Sequence, residues 1–480
     1  TCASDSVTVS YPVMGLRGEA LRPSMPVLRI RKLFPELRPV SPELLPPEER
    51  AQGDAAAFEL AAAYRKTPFG KALMRIYRQD MFWTGRLEAM LCPIAERHVR
   101  ILPDTVNRMF PGDITLTQSR LDAFCGCAFS FWCKYYLELD DIRRYSFSPS
   151  DSGTFIHRML EGFLRLARRE DGMKTDYTDG EISEILDGMI QTYLGGIFGS
   201  EYDRGMCSAR LVRTFGRMKR SCEQLVRDLL DEFSQSEFVP QYFELKIAPP
   251  GRYPGEQTVP PLMIPAGNGR HVCVCGQIDR VDTLNRGNDV YVRVVDYKTG
   301  RKEFDPADLK EGLNTQMFLY LFSLLEAKDR GFLKELGVKD GGRVLPAGVL
   351  YCNARTDPLP VSAEQSAEEV TEEVRRAIRR CGLLTNRLDI LRAMEADLGA
   401  RYIPVSLKKD ETFTKRSAVI GADDEFERWE KTITETVSEK AREILGGCAD
   451  AEPLRGDHNP CGFCALKPVC RGGICAEGEL

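Results

Sequence analysis

The stretch GQIDRVDTLNRGNDVYVRVVDYKTG, residues 276–300, decides the architecture. Its two halves alternate, the second is rich in valine, and a short polar turn separates them, which is the pattern of an antiparallel β-hairpin. In the second strand, alternation sets Val290, Val292, Val294, Asp296 and Lys298 on one face. In the first, Cys273, Cys275, Gln277, Asp279 and Val281 share a face. A turn centred between Gly287 and Asn288 places Asp279 opposite Asp296. Two carboxylates facing each other across a strand pair repel. With a lysine two residues on, such a pair suits a hard divalent cation, magnesium or manganese, held through oxygen. That ion polarises a phosphoryl oxygen and acidifies a water, which the lysine can orient or deprotonate. An isolated D-x-K is more often a surface ion pair. The acid-bearing strand before it is what favours a metal site here.

Outward from the hairpin, strand character begins at Tyr242–Ile247, which carries Glu244. A helix with N-caps around Ser150 runs to about Arg169, burying Phe155, Ile156, Met159, Leu160, Phe163 and Leu164. It places His157 and Glu161 on one face, one turn after Gly153. Further helices are expected over 180–198 and 207–235, and a capped helix within TLTQSRLDAF from Thr115, followed by the aromatic run Phe129–Tyr136. Downstream, a long helix over Pro306–Ala327 carries Gln316 and Tyr320, an i, i+4 pair suited to a phosphate or base. A strand at Gly348–Cys352 and polar helices near 362–398 and 424–446 follow, and helical patterns stand upstream at Ala55–Tyr64 and Met81–Arg97. Residues 1–50 read as irregular. The fold class is α/β, a mixed sheet flanked by helices.

At 480 residues, 43% hydrophobic and 29% charged, the chain is neither disordered nor collagen-like, and it is long enough for more than one domain. No apolar run approaches a membrane span, so a membrane is not among the expected partners. The chain opens at Thr1 without a basic-then-apolar leader and reads as a fragment or processed chain, expected to be cytoplasmic. A net charge of −5 argues against a uniformly cationic nucleic-acid coat. One local stripe remains: Arg210, Arg213, Arg217 and Arg220 fall on one helical face within 204–220, which holds no acid. Such a row can bridge successive DNA phosphates. No G-x4-G-K-[ST] loop occurs, so ATP hydrolysis by that route is excluded for this chain.

Sixteen cysteines are scattered without regular spacing, as in a reduced intracellular protein, except near the end. Cys461, Cys464 and Cys470 have ligand spacing and need a fourth thiolate. Cys475 would complete a local site open to zinc, and Cys127, far upstream in the aromatic run, is the other candidate.

Taken in order, Gly153 and His157, Glu244, GxIDRVD with Asp279, VDYKTG with Asp296 and Lys298, and Gln316 with Tyr320 resemble the RecB-type branch of the PD-(D/E)XK nucleases. The resemblance implies a restriction-endonuclease-like sheet and a Mg2+-dependent (Mn2+ possible) phosphodiesterase acting on DNA. It implies His157, Asp279, Asp296 and the Tyr297 backbone carbonyl as metal ligands, and Lys298 as the catalytic lysine, with Glu244, Gln316 and Tyr320 also in the site. SRLDAFCGCAFSFWCKYYLEL further resembles the segment preceding the nuclease in AddB-type subunits, with Ala128 where proline is usual. That likeness implies a 4Fe–4S cluster on Cys127, Cys461, Cys464 and Cys470, a structural staple in place of zinc. SYPVMGLRGEALRPSMPVLRIRKLFP resembles the end of the helicase-like region of the same family. The implied organisation is the end of a helicase-like region and linker over 1–110 and a nuclease domain over 111–480, with a helical insert at 170–235 and C-terminal helices and cluster at 360–480. The implied partners are DNA and an AddA-type helicase–nuclease subunit, in resection of double-strand ends for recombinational repair. Two other readings are a free-standing Cas4-like iron–sulfur exonuclease, which is typically much shorter, and a DNA-binding scaffold with a decayed nuclease fold. Retention of His157, both aspartates and Lys298 counts against the scaffold.

Overall fold

The computed structural model describes residues 9–12, 21–39, 57–58, 60–61, 67–91, 99–139, 149–170, 172–198, 209–298, 304–354, 365–366, 368–370, 373, 379–414, 417, 425–454, 458–466 and 470, with backbone only at 87–91, 149–150, 198 and 209–212. The chain divides into two compact units, Thr1–Arg97 with Pro460–Leu480, and His98–Asn459. In the first, helices Met25–Leu33, Pro68–Tyr77 and Met81–Leu91 are described, with a 3-10 turn at Pro460–Phe463. Thr67 caps the second helix, accepting from the Gly70 amide at 3.1 Å, and Pro68 starts it. Phe58, Tyr77 and Trp83 pack ring on ring beside it. The helix expected over Ala55–Tyr64 falls largely outside the described residues.

The second unit is built on a sheet of eight described strands: β1 (Ile114–Thr117), β2 (Val239–Ile247), β3 (Thr258–Val259), β4 (Ile264–Gly267), β5 (Arg270–Arg286), β6 (Asp289–Lys298), β7 (Val344–Asn353) and β8 (Cys381–Leu384). Their order is β8–β7–β6–β5–β2–β3, with β1 and β4 on the first half of β5. The sheet is mixed: β1–β5, β2–β3 and β6–β7 are parallel, the other pairs antiparallel. β5 and β6 form the expected hairpin. Their register runs from Arg286↔Asp289 to Arg280↔Val295, so the turn lies at Gly287–Asn288, and Gly287 takes the positive φ (65°) that a two-residue hairpin turn requires.

Helices α1 (Gln118–Gly126), α2 (Ala128–Tyr135), α3 (Pro149–Ala167), α4 (Asp179–Phe198), α5 (Ala209–Gln235), α6 (Pro306–Lys310), α7 (Gln316–Leu325), α8 (Leu388–Met394) and α9 (Glu425–Leu445) flank the sheet. Alternation along β6 sorts it into two cores. Val290, Val292 and Val294 pack with Phe318 and Leu321 of α7 and Ile433 and Val437 of α9. Tyr291, Val295 and Tyr297 belong to the core of Phe155 and Phe163 (α3), Leu186 (α4) and Leu225 (α5). Each fully buried side chain of this kind contributes about 1.5–3 kcal/mol. The stripe expected on α3 is buried throughout.

Five expectations change. Residues 1–50 read as irregular, yet Met25–Leu33 is helical, with Pro26 in its first turn where a missing amide costs nothing. Thr115–Thr117 is strand, not helix, because Ile114 and Leu116 are buried beside Val272 and Val274, and the helix starts at Gln118 without a Thr117 side-chain cap. The long helix over Pro306–Ala327 is two, α6 and α7, since Gly312 (φ 76°) and Asn314 (φ 56°) cannot continue one, and Asn314 Nδ2 donates to Asp308 at 2.6 Å across the break. The segment 362–398, read as polar helix, contains β8 and the short α8, and much of its first half lies outside the described residues. Finally, Val272, Val274 and Ile278 join Val281 in one core although their parity differs, so Cys273 and Cys275 do not share a face with Val281. The change of parity falls around Asp279, beside a left-handed residue on β2, Glu244 (φ 57°).

Candidate active site

α3 crosses the sheet at the end of β6 and brings His157 to it. His157 Nε2 lies 2.6 Å from the Tyr297 carbonyl oxygen, and Nδ1 lies 3.3 Å from Asp279 Oδ2. The Tyr297 amide donates to the same Asp279 oxygen at 2.8 Å. Glu244 faces this pair from β2, since Phe243↔Arg280 and Leu245↔Ile278 flank it. One ligand atom each from His157, Glu244 and Asp279 lie within 4.8 Å of one another. Asp296 and Lys298 stand on the neighbouring strand, joined by an ion pair of 2.7 Å.

Charge and burial oppose each other throughout this site. Burial pushes the Glu244 carboxyl up to about 7, reinforced by Asp279 and Glu161 and partly offset by His157 and Arg165. Asp296 is also held above the usual carboxylate range, by burial first and Asp279 second, with Lys298 pulling the other way. For His157, burial alone would lower the value, but the hydrogen bond and charge of Asp279 and the Tyr297 carbonyl raise it. Asp296 Oδ2 is buried, and the Lys298 ammonium 2.7 Å away is its partner. An acceptor oxygen hidden from water beside two further carboxylates and an imidazole fits a divalent cation held through oxygen and nitrogen.

Of the residues named from the sequence, the structure brings His157, Glu244 and Asp279 together, sets the Tyr297 carbonyl on His157, and pairs Lys298 with Asp296 on the adjoining strand. Tyr320 differs from its expected role. It is 1% exposed, and its hydroxyl donates to the Cys275 carbonyl at 3.4 Å instead of lying open to a phosphate. A Cβ at Gly276 would meet that hydroxyl at 1.7 Å, which accounts for the glycine that opens GQID. Gln316, one turn earlier on α7, is partly exposed.

On α5, Arg213, Arg217 and Arg220 are exposed in a row above buried Phe215 and Met218, and the Arg210 side chain lies outside the described residues. Cys127 is buried at the α1–α2 junction. The segment leaving α9 runs along that junction: Trp132 Nε1 donates to the Cys448 carbonyl (2.7 Å), the Phe129 amide to Asp450 O (3.1 Å), and the Leu454 amide to Gly126 O (2.8 Å). Cys125 turns aside into the core near Gly312, its thiol pushed up to about 12 by burial. In the other unit, the Cys464 amide donates to the Cys461 carbonyl at 3.4 Å within the 3-10 turn, and Cys475 lies outside the described residues.

Sequence reasoning passed over a layer of buried charge directly behind the site. Arg280 grips Asp282 with two nitrogens (2.8 and 3.0 Å), and Arg293 reaches Asp282 and Glu232 (2.8 Å each). Arg380 binds Glu232 at 2.7 Å and also Asp228. The available signal was a charge alternating inside apolar strands: Arg280 and Asp282 within GQIDRVD, Arg293 within the valine run.

Comparison with known proteins agrees with this geometry. Residues 115–471 match the PD-(D/E)XK nuclease superfamily. Over 503 residues the chain is 26% identical to the B-type subunit of the ATP-dependent helicase/deoxyribonuclease of Thermoanaerobacter sp. (strain X514), covering 100% of this chain and 42% of that protein. The proteins of the same name from Clostridium acetobutylicum (26% over 502 residues) and Acetivibrio thermocellus (26% over 494 residues) are similar to it as well. The chain therefore spans about two-fifths of the length of these relatives, 41–42%. With the hairpin acids, the lysine and the helix-borne histidine in one place and the match running over most of the sequence, the chain belongs to the PD-(D/E)XK nuclease superfamily.

Proposed function

We propose that this chain is the nuclease part of one subunit in an ATP-dependent helicase/deoxyribonuclease, acting as a metal-dependent deoxyribonuclease that resects double-strand DNA ends for recombinational repair. The observation that carries the reading is the approach of His157, Glu244 and Asp279 within 4.8 Å of one another, with the buried Asp296 carboxylate paired to Lys298 on the neighbouring strand. His157, Asp279, Asp296 and the Tyr297 carbonyl, with Glu244 adjoining, would hold Mg2+ or Mn2+. When bound, the cation supplies Lewis acidity toward a phosphoryl oxygen and lowers the pKa of a water. Lys298, whose ammonium lies 2.7 Å from Asp296 Oδ2, would orient that water and support charge on the phosphoryl group. The sheet keeps the acids at fixed spacing, and α3 sets His157 from the opposite layer, so the ligands need little reorganisation.

We assign the four thiols Cys127, Cys461, Cys464 and Cys470 to a 4Fe–4S cluster of structural role. Support comes from the ligand spacing of Cys461, Cys464 and Cys470 and from the resemblance of the Cys127 segment to its counterpart in AddB-type subunits. Arg210, Arg213, Arg217 and Arg220 are assigned to DNA phosphates, Gln316 to the substrate side of the site, and Tyr320 to holding β5. The partner is an AddA-type motor protein and the compartment the cytoplasm. Among the described residues no helix is long and apolar enough to cross a membrane.

End-labelled DNA incubated with Mg2+ tests the reading. The parent chain should digest it, and Lys298→Ala should be slower by about a hundredfold or more. Equal digestion by both would remove Lys298 from the mechanism, and an inert parent in complex with its motor partner would remove the nuclease.

A further inference from the structure

Tyr297 is known to this site only through its backbone, yet its side chain leaves in the other direction, into the layer of buried charge. The phenol is fully enclosed and accepts a hydrogen bond from Arg280 Nη1 at 2.6 Å. The same Arg280 holds Asp282 with its other two nitrogens and lies with its guanidinium carbon 5.1 Å from the centroid of Phe233. All three of its nitrogens are therefore committed, and none is spent on the site's own face.

Arg280 follows Asp279 in the chain, and Tyr297 sits between Asp296 and Lys298. The hydrogen-bonded register of the hairpin ends at Arg280↔Val295, one residue short of the acids. Beyond that point the two strands are held by the Tyr297 amide on Asp279 and, through the sheet, by Arg280 on the Tyr297 phenol. We propose that Arg280 is a positioning residue for the metal centre, acting through Tyr297: it fixes the segment Asp296–Lys298 against Asp279 from behind the sheet. Asp282 sets Arg280, Arg293 shares Asp282, and Glu232 on α5 ties Arg293 to Arg380, so the setting of the acids is anchored in a second layer of the fold.

A layer serving stability alone gains little from such groups, because apolar residues of similar volume are commonly as stable as a buried ion network. What the network supplies is direction. Partners behind metal ligands typically tune affinity by about 10–100-fold without touching the ion.

This inference rests on the reading of the acid cluster as a metal site, and one experiment separates the two. The full chain is titrated with Mn2+ in a calorimeter, alongside Tyr297→Phe, which removes only the hydroxyl, and Arg280→Lys, which can satisfy the phenol or Asp282 but not both. Tyr297→Phe should keep its circular dichroism and bind Mn2+ about tenfold more weakly. The Mg2+ concentration for half-maximal cleavage should rise in step, with KM for DNA unchanged. Arg280→Lys should fall at or beyond Tyr297→Phe, and if it fails to fold, Tyr297→Phe decides alone. Parental affinity in Tyr297→Phe would overturn the positioning role while leaving the metal site intact. A parent that binds no Mn2+ would overturn both.

Discussion

Glu244 holds two disadvantages at one position. Its left-handed backbone (φ 57°) costs about 1–3 kcal/mol for a residue with a Cβ, and its half-buried carboxyl stands beside Asp279 and Glu161. Both are tolerable if the site gains its stability on binding a cation. Glu244→Gln should therefore raise the melting temperature of the metal-free protein by about 2 °C while lowering nuclease activity, as calorimetry and the end-label assay would read. A lower melting temperature without metal would count against Glu244 as part of the cation site. Asp296 and Lys298 are legible from strand parity, and Asp279 from the turn position alone, because the parity of β5 changes around it. Glu244 carried no comparable signal: its carboxylate reaches the others through a backbone conformation that no local pattern in YFELKI announces. Arg280 and Arg293 were visible as charges in apolar strands, but only the structure shows that they are buried in a shared network.

At the scale of elements, α5 has two occupations. Its inner face carries Phe215, Met218, Cys222, Leu225 and Leu229 into the core, and its outer face presents Arg213, Arg217 and Arg220. If those arginines meet phosphates, Arg213→Glu with Arg217→Glu should weaken DNA binding and reduce the salt slope by about 2, close to one unit per lost contact. An unaltered slope in a fluorescence titration would remove α5 from the DNA path. Most elements followed from periodicity because each packs one stripe or one face: α3, α4, α5, α9 and the hairpin stand where apolar spacing put them. The exceptions share a cause in tertiary structure. Thr115–Thr117 is extended because β5 offers it an unpaired edge, and the α6–α7 break depends on Asp308 receiving Asn314.

For the molecule as a whole, the buried charge layer sets a limit in acid. Burial would raise the Glu232 carboxyl, but Arg380, Arg293 and Arg280 outweigh it and hold it at about 2. A carboxyl depressed on folding stabilises fully above its unfolded value of about 4.3, and loses that contribution as pH falls toward the folded value. The contribution is about 3 kcal/mol, so the melting temperature should drop between about pH 4.5 and 2, and Glu232→Gln should flatten that part of the curve. A parental profile in the variant would place the acid lability elsewhere. The cysteine assignment is read by colour: protein purified without oxygen should absorb at about 400 nm, and Cys127→Ala should lose the band. Colourless protein containing zinc would replace the cluster with a simpler clasp.

The pairing of β1 with β5 has a consequence during synthesis. Thr115 and Cys273 lie side by side in the finished sheet but are 158 positions apart in the chain. At about 5–20 residues per second, a ribosome takes about 8–30 s to deliver the second after the first. For that interval a ribbon with one apolar face, Ile114 and Leu116, waits on the nascent chain with no neighbour to complete it, and the protein's exposure to misassembly is set by translation speed there.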